Sequence, residues 1–167
     1  LAQELVGVAN GGHPHTYIAR PFNHFGPRQD GSFVSAAFAK QIAEIEAGLK
    51  PPEILVGNLE ARRDLTDVRD TVRAYRLMVE HGVPGRPYNV CSGTAIAVHS
   101  VLDMLLAHSR IAITVTRDPA RFRPNDTPVV LGNPGRALRE LGWAPSIPLE
   151  QTALDLLDYW RQRVRPS

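Results

Sequence analysis

The chain has 167 residues, of which 43% are hydrophobic and 22% charged, with 19 basic against 17 acidic side chains. That apolar content and near balance of charge exclude intrinsic disorder, and the length suits one domain of roughly 100–200 residues. A net charge of +2 argues against a nucleic-acid partner, and no apolar run reaches the ~18 residues of a membrane helix. A single cysteine, Cys91, excludes an internal disulfide framework and a multi-cysteine zinc site, so a reducing, cytoplasmic setting is expected. The first ten residues carry Gln3 and Glu4 and lack a basic start, unlike a signal peptide.

In chain order, Leu1 to Val8 reads as the tail of a helix without an N-cap, as in a chain cut inside a helix. His15 to Arg20 reads as a strand closed by Pro21. Val34, Phe38, Ile42, Ile45 and Leu49 follow helical spacing, with Gly48 near the end. Glu53 to Val56 is a short strand. Asp67 caps a second helix with Val68, Val72, Tyr75 and Val79 on its apolar face, stopped by Gly82. Arg86 to Val90 is a strand, and Val98 to His108 a helix with Val98, Val101, Leu102 and Leu105 inward. Ile111 to Val115 alternates as a strand. Arg117 to Pro128 is a polar, proline-rich loop. Asn133-Pro134 opens a short helix ended by Gly142, and Leu149, Ala153, Leu156 and Trp160 form the inner face of a last one. Strands alternating with helices predict an α/β fold with parallel pairs.

Four stretches carry candidate chemistry. Arg20 to Arg28 follows a strand directly, where α/β sheets bind ligands, and Asn23 offers both donors and an acceptor; Pro, Asn and Gly also simply make turns. Arg62-Arg63-Asp64, running to Asp67 and Asp70, reads either as a surface ion-pair cluster or as an arginine held towards a phosphate. Arg117, Arg121 and Arg123 beside Asp118 and Asp126 lie in a stiff loop that suits an anion, or equally a solvated face. His13 and His15 are two ligands where a zinc site needs more, so no metal is expected. His24 is a lone histidine, and Cys91 reads as a buried, inert thiol. The chain contains no G-x-G-x-x-G turn, and none of its four tyrosines has a lysine four residues later.

Together, R-P-F-N-H-x-G-P, G-N-L-E-A-R-R-D-x-T-D-V-R-D, Y-N-V-C-S-G, R-x-R-P-x-D and G-W-x-P-x-I-P-L-E resemble, in order and spacing, the C-terminal half of extended short-chain dehydrogenase/reductases of the NAD-dependent epimerase/dehydratase family. The resemblance covers essentially the whole chain. It implies a substrate-binding lobe plus the last strands of a Rossmann-type parallel sheet, truncated at the N-terminus. Residues 1–31 and 83–97 would be the remnant of the NAD(P)-binding sheet, and 32–82 and 98–167 the nucleotide-sugar-binding lobe. Arg63-Asp64-Leu65-Thr66-Asp67-Val68 resembles the reductase and epimerase form rather than the dehydratase form. The implied reaction is reduction of the C4 ketone of GDP-4-keto-6-deoxy-D-mannose to GDP-D-rhamnose with NAD(P)H. The same half of a dehydratase or epimerase, and a non-catalytic nucleotide-sugar-binding module, are the alternatives.

By the same resemblance, Asn23, Phe33, Val34, Lys40, Arg63, Arg123 and Asp126 would bind the GDP-sugar. Pro21, Phe22 and His24 would border the nicotinamide of NAD(P), mainly through backbone. The Tyr-x-x-x-Lys pair and the glycine loop of the family would lie in a missing N-terminal half, so this chain alone would be inactive and would not bind NAD(P). A homodimer is implied for the parent. Two parallel pairs are expected, Tyr17–Arg20 with Pro87–Val90 and Ile54–Val56 with Ala112–Val115. The strand at Tyr17 should be an open edge, exposed or covered by another copy; flanking on both sides by strands of this chain would instead count against the fragment reading and mark a self-contained fold.

Overall fold

A computed structural model describes residues 4–10, 13–121 and 127–164, with side chains from residue 15 onward in the first strands. The elements are β1 (Glu4–Asn10), β2 (His13–Pro21), β3 (Asn23–Phe25), α1 (Val34–Glu46), β4 (Glu53–Val56), β5 (Arg62–Asp67), α2 (Val68–His81), β6 (Pro87–Val90), β7 (Ala95–Ala97), α3 (Val98–Ala107), β8 (Thr114–Arg117), a 3-10 turn (Pro119–Arg121), β9 (Val129–Val130), α4 (Gly135–Leu141) and α5 (Leu149–Arg163). One sheet has the order β1-β2-β6. A second has β3-β5-β7 with β9 also on β5. A third pairs β4 with β8. The chain forms two compact units, the first made of Leu1–His24, Arg63–Ala95 and Val130–Ile147, the second of Phe25–Arg62, Ile96–Val129 and Pro148–Ser167.

Both expected parallel pairs are present. Ile18 lies opposite Pro87 and Pro21 opposite Val90. Ile54 lies opposite Val115 and Val56 opposite Arg117, so β8 begins two residues later than Ala112. The expected N-terminal helix is not found. Residues 4–10 are a strand, antiparallel to β2, with Glu4 opposite Ala19 and Asn10 opposite His13. The physical reason is in the sequence: Val6 and Val8 suit a strand, and Gly11-Gly12, in sequence between the paired Asn10 and His13, is the composition of a two-residue hairpin loop. The open edge expected at Tyr17 is therefore corrected. β2 is central, flanked by β1 and β6, so no open edge at this strand marks truncation.

In the first unit, Tyr17 and Ala19 of β2 and Tyr88 and Val90 of β6 face α2 and α4. They enclose Ala74, Met78, Ala137, Leu141 and Trp143. This packing groups residues 63–82 and 130–147 with the sheet, not with the lobe to which 32–82 and 98–167 were assigned. The inner face of α2 also differs from the expected one. Asp70, Thr71, Ala74 and Met78 point inward, while Val72 is 59% exposed. Asp70 turns the helix: its carboxylate accepts from Ser146 N, Ser146 Oγ and Ile147 N at 2.8, 2.8 and 2.9 Å, and from Arg73 at 2.7 Å. Burial pushes the Asp70 carboxyl up, but Arg73 and these donors outweigh it and hold the carboxyl below its ordinary value.

In the second unit, α1, α3 and α5 pack together through Phe38, Ile42, Ile45, Val101, Leu102, Leu105, Ala153, Leu156 and Leu157. α1 ends three residues before Leu49, and Val34 and Leu49 are exposed rather than inward. Gly48 adopts φ +73°, Gly48 N donates to Ile45 O, and Leu49 N to Glu44 O, a Schellman closure. Arg161 of α5 donates to both oxygens of Glu46 and to His108 O, tying the ends of the three helices.

Candidate functional site

The first unit holds five of the sequence-predicted residues at the carboxyl end of β2 and on the strands beyond it. Along β2, Tyr17, Ala19 and Pro21 are buried, while Ile18 and Arg20 lie half-buried on the other face, the period-2 alternation of a strand. Phe22 N donates to Val90 O at 2.9 Å, extending the pairing with β6 by one residue. Phe22 is buried, and its carbonyl lies 3.1 Å from Nδ1 of the half-buried His24. Asn23 between them is exposed. β3 neighbours β5, which places Asn23 and Arg63 on adjacent strands. Arg63 is half-buried and Arg62 exposed.

Sequence reasoning left open whether Asp64 or Asp67 steadies an arginine, and it missed what Asp64 does. Asp64 is fully buried and accepts from Ser92 N and Ser92 Oγ, both at 2.7 Å, from Gly93 N at 3.0 Å and from Gly132 N at 3.1 Å. One carboxylate thus joins β5, the turn after β6 and the segment before α4. A Cβ on Gly132 would fall inside contact distance of Cys91 Sγ and 2.8 Å from Phe22 Cζ. The strand end at Pro21 and Phe22 therefore rests on a tight floor of Cys91 and Gly132. Burial first, then the nearby Asp64 charge, pushes the Cys91 thiol up to about 12, which makes it the inert thiol expected. Asp67 caps α2 through Arg69 N at 2.7 Å and binds the Arg69 guanidinium through both oxygens. The clue to Asp64 in the sequence was Ser92-Gly93, a turn whose part-buried amides need an acceptor.

The second unit holds Phe33, Val34 and Lys40. Phe33 is the N-cap residue of α1 and 58% exposed, and Val34 is 49% exposed. Lys40 is two turns further along, half-buried, with Nζ 5.6 Å from the Trp160 ring centre and 3.9 Å from Glu44 Oε1. A Cβ on Gly31 would lie 3.3 Å from Lys40 Cδ and 3.4 Å from the Trp160 ring. The start of α1 thus presents apolar surface followed by a cation. Arg117 pairs with Glu60 at 3.5 Å and Arg121 with Asp118 at 3.3 Å, both at the surface. Arg123 and Asp126 lie outside the described residues.

A model of the family described as GDP-mannose 4,6 dehydratase matches residues 9–156. The chain belongs to this family. It is similar to the GDP-6-deoxy-D-mannose reductase of Pseudomonas aeruginosa, 38% identical over 148 residues that make up 89% of this chain and 49% of the relative. It is also similar to the GDP-mannose 4,6-dehydratase of Vibrio cholerae, 28% identical over 81% of this chain and 44% of the relative. Among solved structures, RMD from Pseudomonas aeruginosa complexed with NADPH superposes with a TM-score of 0.82 at 35% identity, over 89% of this chain and 49% of that one. The UDP-glucose 4-epimerase of Thermotoga maritima gives 0.72 at 25% identity, over 88% and 46%. The fold is thus that of the family, and the chain spans about half the length of the relatives it matches.

Proposed function

We propose that this chain is the nucleotide-sugar-binding portion of an oxidoreductase that reduces the C4 ketone of GDP-4-keto-6-deoxy-D-mannose to GDP-D-rhamnose with NAD(P)H. The observation that carries the reading is the 38% identity to a GDP-6-deoxy-D-mannose reductase across 89% of the chain, against 28% to a dehydratase. In this reading Arg63 and Arg123 bind the diphosphate, Asn23 the diphosphate or sugar, and Asp126 the ribose hydroxyls. Phe33, Val34 and Lys40 line the base and phosphate side. The chemistry of the donors agrees: a diphosphate carries roughly two negative charges, and guanidinium forks match its oxygens.

NAD(P)H supplies the hydride in the parent enzyme. The strand end here is only a border for it. Pro21, Phe22 and His24 border the nicotinamide; Phe22 N is spent on Val90 O and Pro21 has no N–H, so backbone contact from these two falls to their carbonyls. No G-x-G-x-x-G turn in these residues cradles the cofactor's diphosphate, and no Tyr-x-x-x-Lys pair protonates the alkoxide. The partners are accordingly a GDP-sugar and the N-terminal half of the same enzyme, with a homodimer as the parent's assembly and the cytoplasm as its setting. Among the described residues no helix is long and apolar enough to cross a membrane.

The purified 167-residue chain should therefore bind GDP in preference to UDP or dTDP and show no turnover of the keto sugar with NADPH. Turnover by this chain alone, or equal affinity for the three nucleotides, contradicts the proposal. The family model's description favours one second reading, the matching portion of a 4,6-dehydratase; tighter binding of GDP-mannose than of the keto sugar would select it.

A further inference from the structure

Asp64 is a buried carboxylate that the proposed GDP-sugar contacts do not use, one residue along β5 from Arg63. Its Oδ1 accepts from Ser92 N and Ser92 Oγ, and its Oδ2 from Gly93 N and Gly132 N. A carboxylate offers about four acceptor sites, so these bonds fill it. With no exposed surface and no acceptor left over, Asp64 does not itself touch a ligand. Its chemistry is directed at the protein.

Adjacent residues of a strand point to opposite faces. Arg63 is half-buried, and Asp64 anchors the next position of the strand from the other side. Two distant segments meet at that anchor. Ser92 and Gly93 form the turn after β6, and Gly132 precedes α4. Asp64, Arg63 and these donors all belong to the first unit. A guanidinium fork meets phosphate oxygens through paired bonds, whose geometry depends on where the arginine backbone stands. A shift of β5 therefore costs binding without any change in the groups that touch the ligand. Asp64→Asn keeps the side-chain shape but turns one acceptor oxygen into an NH2 donor. On the Oδ2 side that donor faces the N–H groups of Gly93 and Gly132, and on the Oδ1 side that of Ser92. Either orientation breaks the anchor.

We infer that Asp64 is a positioning residue for diphosphate binding: it holds β5 so that the Arg63 guanidinium meets the ligand phosphates. The inference rests on the proposed role of Arg63. The test is a double-mutant cycle on the 167-residue chain. GDP affinity is measured by calorimetric titration at a temperature where far-ultraviolet circular dichroism shows each variant folded. Asp64→Asn should weaken GDP binding about 10-fold in the parent chain and leave it nearly unchanged in the Arg63→Ala background, because it acts through Arg63. Met78→Ala, which empties part of the same unit's core, should lower stability and leave GDP affinity unchanged. If Asp64→Asn does not fold, Ser92→Ala takes its place in the cycle. It removes one donor and keeps the carboxylate, and should weaken GDP binding about 3-fold with the same dependence on Arg63. Losses that add in the double variant, GDP affinity unchanged by the folded Asp64 or Ser92 variant, or an equal loss in Met78→Ala overturn the inference alone. GDP binding that is absent from the parent chain, or left intact by Arg63→Ala, overturns the proposed site and the inference with it.

Discussion

At Asp64 one buried carboxylate satisfies four donors from two separate segments, three of them backbone amides. Removing it leaves four part-buried donors without their acceptor. Asp64→Ala should therefore lower stability by about 3 kcal/mol, read from denaturant midpoints at an unchanged slope. A loss below about 1 kcal/mol would mean that water replaces the carboxylate without cost. Asp70 makes a prediction in pH. Its folded carboxyl sits below the ordinary aspartate value of 3.8, so the unfolded chain takes up the proton first as pH falls. The stabilisation is complete above the ordinary value and is lost as pH falls through the folded one. Asp70→Asn should be less stable at neutral pH and should show a shallower loss of stability in acid. A parallel acid limb in the variant would assign the pH dependence to other groups.

The Schellman closure of α1 rests on Gly48 at φ +73°, with open space around its missing side chain. Only the backbone conformation opposes a larger residue there, so Gly48→Ala should cost about 1 kcal/mol, seen as a modest fall in melting temperature. The elements divide by how their information is carried. Helix α3 was legible because Val98, Val101, Leu102 and Leu105 follow one stripe and are all buried. The two parallel strand pairs were legible from connectivity. The inner face of α2 was misread because hydrophobicity does not register a buried carboxylate, and Asp70 rather than Val72 turns inward. The first strand was misread as a helix because its partner, β2, supplies half of the evidence for it; Asn10-Gly11-Gly12 was the local clue. The family was legible as a set of motifs, whereas the contacts of Asp64 and Gly132 join segments far apart in sequence.

As a whole molecule the chain has two compact units, and the proposed nucleotide-sugar residues occur in both: Asn23 and Arg63 in the first, Phe33, Val34 and Lys40 in the second. Each unit has its own buried residues. The central claim is that these residues bind GDP. Calorimetric titration of the 167-residue chain with GDP tests it most directly, using Arg63→Ala and its exposed neighbour Arg62→Ala. Loss of one charge-assisted contact of about 1.5–3 kcal/mol should weaken GDP binding roughly 10–100-fold in Arg63→Ala and leave Arg62→Ala close to the parent chain. No GDP binding by the parent chain, or the same affinity in Arg63→Ala and Arg62→Ala, would contradict it.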